Sequence, residues 1–202
     1  MQRYFLLIII CFGAIITTAQ TDSIPDRLAW DKSKKNSKEL IKLLVDPLNL
    51  RDFEKQNPMH SNSGGANKQS YYNKPNSKGF YYRYFLFNNM VGHGPIFVTF
   101  QKDPTMKGYM DSSEIFIELS CDKPFKTLGK MDLVGSTLSE MIKKFGDNYL
   151  KSGDNWIYQY NNTILILHGK EKVTWFKVTL LNKSFKNFEE INNAKDLLEY
   201  SL

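Results

Sequence analysis

The first ordered pattern of apolar and polar positions falls at residues 38–45. Leu40, Leu43 and Leu44 stand at helical spacing, and Pro47 closes the segment. Leu48 to Phe53 adds a further turn on the same pattern. The pattern then stops at 57–79, which holds five Asn, four Ser and three Gly with almost no aliphatic side chain. That segment reads as a long polar loop, because it has little to bury. Strand signals follow at 80–87, Phe-Tyr-Tyr-Arg-Tyr-Phe-Leu-Phe, and again at 96–101 and 115–119. Each is short, rich in aromatic or β-branched residues, and bounded by Gly, Pro or Asp.

The strongest helix signal is 136–145. Leu138, Met141, Ile142 and Phe145 form an apolar stripe, with Ser139, Glu140, Lys143 and Lys144 on the polar face. Thr137 and Glu140 fit a capping box, and Gly146 is placed to take a left-handed conformation at the end. Strands are predicted at 156–160, 163–168 and 173–181, linked by Asn161-Asn162 and by Gly169-Lys170-Glu171. On the last strand Phe176, Val178 and Leu180 share one face, while Lys177 and Thr179 point away. Ile191, Ala194, Leu197 and Leu198 suggest a terminal helix over 188–200. The fold class predicted is α+β: antiparallel meanders with amphipathic helices packed on one face.

The N-terminus changes what belongs to that fold. Arg3 precedes an apolar run from Tyr4 to Ile16, and small residues lead to Ala19. This is the pattern of a secretory signal peptide over residues 1–19. The run is too short for a membrane anchor, which needs about 20 residues. Cleavage removes Cys11 and leaves Cys121 as the single thiol, so no internal disulfide is available. Gln20 would then begin the chain, where a lipoprotein requires a Cys. The expected location is periplasmic or secreted, with no transmembrane segment after cleavage. The Asn161 and Asn182 glycosylation triplets matter only in a eukaryotic source. Two parts follow the leader: 20–130, with the first helix, the polar loop and strands, and 131–202, with helix, three-stranded meander and terminal helix.

Residues 131–181 carry a recognisable series. Gly135-Ser136-Thr137 precedes the helix and Phe145-Gly146-Asp147 ends it. Trp156-Ile157-Tyr158 opens the strands, and Val173-Thr174-Trp175-Phe176 closes the series. This resembles the helix-plus-meander domains of the outer-membrane assembly lipoproteins of the SmpA/OmlA (BamE) type. It is similar also to the repeat of the β-lactamase inhibitory proteins, in which two copies stand in tandem. Residues 38–119 also run helix then strands and fit a degenerate first copy, without the Phe-Gly and Trp-x-Tyr marks. The resemblance implies a protein-binding surface without catalysis.

Candidate chemistry is sparse. His60, His93 and His168 show no ligand spacing, and one Cys cannot complete a zinc motif; no metal or cofactor is expected. Cys121 with a distant histidine is one nucleophile pattern, and His93 between Gly92 and Gly94 is a loop candidate. The blander readings are a buried strand-end thiol and a glycine turn. A formal charge of +6, which drops by one when Arg3 leaves, is too small and dispersed to mark a phosphate groove. Nucleic acid is therefore not an expected partner. Arg83 within its aromatic run reads as part of a core strand. Trp156, Tyr158, Tyr160 and Trp175 are the candidate binding surface, since Trp and Tyr dominate hot spots. The expected function is an exported, non-enzymatic binding or envelope-associated module whose partner is another envelope or secreted protein. The alternative is a small secreted hydrolase using Cys121 or His93.

Overall fold

Each of the three described helices starts on a side-chain cap that the sequence supplies, Asn187 serving the last. Ser37 Oγ accepts from the Leu40 N–H at 3.0 Å and opens α1, Lys38–Val45. Thr137 opens α2, Leu138–Phe145, with a reciprocal pair. Its hydroxyl accepts from the Glu140 N–H at 3.2 Å, and the Glu140 carboxylate accepts from the Thr137 N–H at 2.7 Å. Both bonds satisfy donors that a helix start leaves orphaned. Gly146 ends α2 with φ +89 but an extended ψ of 177, so the chain leaves the helix straight rather than curling into a left-handed cap. The computed structural model describes residues 24–47, 59–62, 80–86, 95–103, 105, 113–124, 132–194 and 197–198. The predicted leader at 1–19, the added turn at 48–53 and His93 lie outside the described residues.

The strands are β1 Met59–Asn62, β2 Phe80–Leu86, β3 Ile96–Gln101, β4 Glu114–Cys121, β5 Leu150–Ser152, β6 Asn155–Tyr160, β7 Thr163–His168 and β8 Trp175–Leu180. They form one antiparallel sheet in the order β1-β2-β3-β4-β8-β7-β6-β5. The fold is therefore α+β. Each group of four consecutive strands is a meander that follows a helix in the chain. The two meanders meet at their last strands, where Leu119 pairs with Val178 and Cys121 with Phe176. A register shift between Val98 and Thr99 bends the first meander where β3 meets β4.

One face of this sheet carries the main core. Leu40, Leu43 and Leu44 of α1 and Leu138, Met141 and Phe145 of α2 pack with Tyr84, Phe97, Leu119, Trp156, Tyr158 and Phe176. The first helix does not lie over its own meander. It packs beside α2 and against β6 and β7, so the two halves share one core. The opposite face splits into two apolar clusters. One holds Leu150, Ile157, Ile164, Ile166 and Ile191 of α3, Phe188–Asn192. The other holds Tyr81, Val98, Phe100 and Ile117.

A polar group divides those clusters along the joint. Glu118 pairs with Thr179 and Ser120 with Lys177, and all four side chains are buried. Lys177 and Thr179 do point away from Phe176 and Val178, yet they do not reach solvent. β8 lies in the middle of the sheet, between β4 and β7, and its side chains are buried on both faces. Thr179 Oγ1 donates to the Ile117 carbonyl at 3.1 Å.

Beyond shifts of one or two residues at element ends, three elements differ from the sequence pattern. The polar segment 57–79 contains β1, which pairs with β2 from Met59↔Leu86 to Asn62↔Arg83. The three-residue β5 precedes the expected hairpin. Both are outer strands, set by pairing rather than by their own alternation. The terminal helix is shorter than expected, because Asn193 closes it and single turns at Ala194 and Leu197 follow. Asn161 takes φ 51 in the two-residue turn between β6 and β7, as such a turn requires. Gly169 has φ +151, and a Cβ there would stand 1.9 Å from the Lys172 carbonyl oxygen. No other residue fits that crossing.

A strap precedes α1 and ties its approach to the second half. Arg27 and Lys151 exchange two backbone bonds at 2.9 and 2.8 Å. Phe188 N donates to Leu28 O at 2.9 Å, and Trp30 Nε1 to Phe185 O at 3.3 Å. Lys34 binds the Asp147 carboxylate, which holds that carboxyl below its ordinary range.

The packing predicts three outcomes. Trp156→Ala should cost about 3–5 kcal/mol in urea denaturation, since it empties a site under α2. Thr137→Ala should cost about 1 kcal/mol. The Thr137 N–H and hydroxyl hold the Glu140 carboxyl below its ordinary 4.5. Its contribution is therefore present above 4.5 and lost as pH falls through the lowered value. The stability deficit of Glu140→Ala should be visible at neutral pH and close in acid. A deficit independent of pH would contradict that capping role.

Candidate functional site

The backbone around the start of α2 builds a cleft. Gly135 N donates to Val173 O at 2.8 Å, Val173 N to Ser136 O at 2.9 Å, and Leu138 N to Glu171 O at 3.3 Å. These bonds fix the 169–173 turn against the helix start. Opposite, the β5–β6 hairpin turns at Gly153-Asp154, and Gly169 N donates to Asp154 O at 2.9 Å. Between them lies an open cleft of about 840 Å³. Thr137, Leu138 and Ser139 of α2 line it, with Lys151, Gly153, Asp154 and Trp156 from the hairpin, Lys170 and Glu171 from the turn, and Ile24 from the strap.

Its floor is apolar and its rim charged with both signs. Trp156 contributes from the core, being 2% exposed. Its ring lies tilted against Tyr149 with centroids 4.7 Å apart, and the Arg27 guanidinium sits 4.4 Å over the Tyr149 ring. Lys151 reaches across the Trp156 ring at 5.9 Å, and its ammonium binds Asp26 Oδ1 at 3.0 Å. The same oxygen accepts from the Gly153 N–H at 3.2 Å. Such a surface can hold an extended chain by its side chains and its charges.

The structure separates the four aromatic candidates. Trp156 and Tyr158 are core residues, at 2% and 0% exposure. Tyr158 Oη donates to Gly146 O at 3.1 Å, and burial pushes the phenol upward. Tyr160 shares their face and is half-buried. Trp175 lies on the opposite face, half-buried and stacked on His168 with centroids 5.0 Å apart. Of the four, only Trp156 touches the cleft.

The proposed nucleophile sits elsewhere. Cys121 ends β4, is fully buried, and its Sγ donates to Lys123 O at 3.1 Å. Burial pushes the thiol up to about 12. A thiol held protonated in the core is a poor nucleophile, which counts against a Cys121 hydrolase. His60 lies in β1. His168 Nδ1 meets Asn155 Oδ1 at 2.9 Å on the face opposite the two longer helices. Among the described residues, no group of three His, Cys, Asp or Glu side chains is arranged around a metal position. No helix among them is long and apolar enough to cross a membrane.

Sequence reasoning missed most of the cleft. Ile24, Asp26, Lys151, Lys170 and Glu171 carry no motif, and they meet only through long-range pairing. The one usable signal was the pair of glycine turns, Gly153-Asp154 and Gly169-Lys170-Glu171. Comparison with protein families, curated proteins and solved structures gives no match.

The thiol geometry predicts a protected Cys121. Iodoacetamide at about pH 8, near the ordinary thiol pKa, should leave its peptide unmodified in the folded protein. In urea it should be fully alkylated, by mass spectrometry. Equal rates in both states would show a reactive thiol.

Proposed function

We propose that this chain is an exported, non-enzymatic module of the cell envelope or the secreted fraction, which binds a segment of another protein. The cleft beside the start of α2 carries this reading. It joins an apolar floor at Leu138 and Trp156 to a rim bearing Lys151, Asp154, Lys170 and Glu171. Apolar pockets with a few placed polar groups are the usual form of a recognition site. The resemblance of 131–181 to the assembly lipoproteins and the inhibitory proteins supports the same class. So does the leader pattern at 1–19. Fold analogy is a weaker warrant than the site itself.

The test is site-directed cross-linking in intact cells, with the tagged wild type beside Ser139→Arg and Lys170→Glu. Both positions are exposed, so each variant should fold. The wild type should recover a defined partner from the envelope or the secreted fraction, and both variants should lose most of it at equal abundance. An identical partner list for all three would remove the cleft from the function.

A further inference from the structure

The strap already treats this cleft as a binding site. Ile24 lies in its wall, Asp26 puts one carboxylate oxygen on both the Lys151 ammonium and the Gly153 N–H, and Arg27 makes a single antiparallel bridge to Lys151 at the edge of β5. An aliphatic residue, an acid two positions later and an extended backbone are held together there. Extended peptides that add to a sheet edge are recognised by that combination: main-chain bonds give affinity, and alternate side chains give specificity.

Residues 24–28 form the outward-facing end of the strap, held by the bonds of Asp26, Arg27 and Leu28 rather than by buried apolar side chains. Ile24 is 40% and Leu28 54% exposed, against core side chains near zero. Apolar packing begins at Trp30, whose ring joins the cluster under α3. Lifting 24–27 would break the Asp26 bonds to Lys151 and Gly153 and the Arg27 backbone pair, and would leave the Trp30 ring in its cluster.

We propose that residues 24–27 are a displaceable internal ligand, and that the partner of this cleft is a protein segment of the same chemistry. That segment is extended and presents an aliphatic residue two positions before an aspartate or glutamate. Its carboxylate takes the place of Asp26 on Lys151 and the Gly153 N–H, and its backbone takes the place of Arg27 on β5. This rests on the reading of the cleft as a protein-binding site and names the partner's chemistry. The strap lowers apparent affinity by holding the competent state at a small population.

The probe is a fluorescein-labelled peptide of residues 23–29, titrated by anisotropy into the full chain. Asp26→Ala should bind it roughly tenfold more tightly than wild type, by removing the internal competitor. Asp26→Ala/Lys151→Gln should lose that gain, and so should a peptide with Asn in place of its Asp. Thermal melts of each variant confirm folding. No gain in Asp26→Ala, or a gain that survives Lys151→Gln, overturns the proposal. A wild-type dimer by sedimentation, dispersed by the peptide, also overturns it, since the strap would then be exchanged between copies. A cross-linked partner that excess peptide fails to displace overturns this inference and leaves the cleft reading intact. Peptide binding of the expected pattern with no partner recovered from cells supports the internal ligand and sinks the proposed function.

Discussion

Everything in this fold depends on the short ladder between β4 and β8. Four residue pairs, from Glu118↔Thr179 to Cys121↔Phe176, turn two meanders into one sheet. Without them the first meander would lose the sheet partner beside Leu119 and the shared core beneath α1 and α2. The ladder is also two-sided. Leu119, Cys121, Phe176 and Val178 face the helices, while Glu118, Ser120, Lys177 and Thr179 face the other way. A slip of one residue would put the Lys177 ammonium, or on β4 the Glu118 carboxylate, into the apolar face, at a cost of several kcal/mol. Register here is enforced by the penalty for getting it wrong.

Much of the second half could be read from the chain. The stripe Leu138, Met141 and Phe145, the Thr137–Glu140 cap and the Asn161-Asn162 turn are local features, and local physics decides them. What escaped was decided at a distance. β1 and β5 are strands because neighbours pair with them, and Met59–Asn62 carries no pattern of its own. Lys177 alternates like a solvent-facing residue, but it lies on a strand covered on both sides. The aromatic residues show the same effect in reverse. Trp156 and Tyr158 carry the composition of a binding surface, yet the helices claim them for the core.

The cleft inherits this division. Part of its shape comes from legible features, the helix cap and the Gly169 crossing, while the Gly153 turn follows a strand set by pairing. Its charges come from illegible ones. Lys151 and Asp26 stand far apart in the chain, and only the strap pairing brings them together. A fold whose core comes from strong local patterns can change the rim residues of such a site with little effect on its stability. Surface substitutions away from caps and cores cost within about 0.5 kcal/mol.

The strap has a consequence for the order in which the chain is made. Its partners are all late: Lys151 in β5, Phe145 at the end of α2, and Phe185 and Phe188 before and within α3. A chain emerges from its N-terminus, at roughly 5–20 residues per second. The strap, made well before these partners, is thus among the last segments to find its place. Until β5 and α3 exist, Trp30 and the aliphatic strap residues have no surface to cover. The nascent protein spends nearly its whole synthesis with that end unsatisfied, open to whatever meets it first.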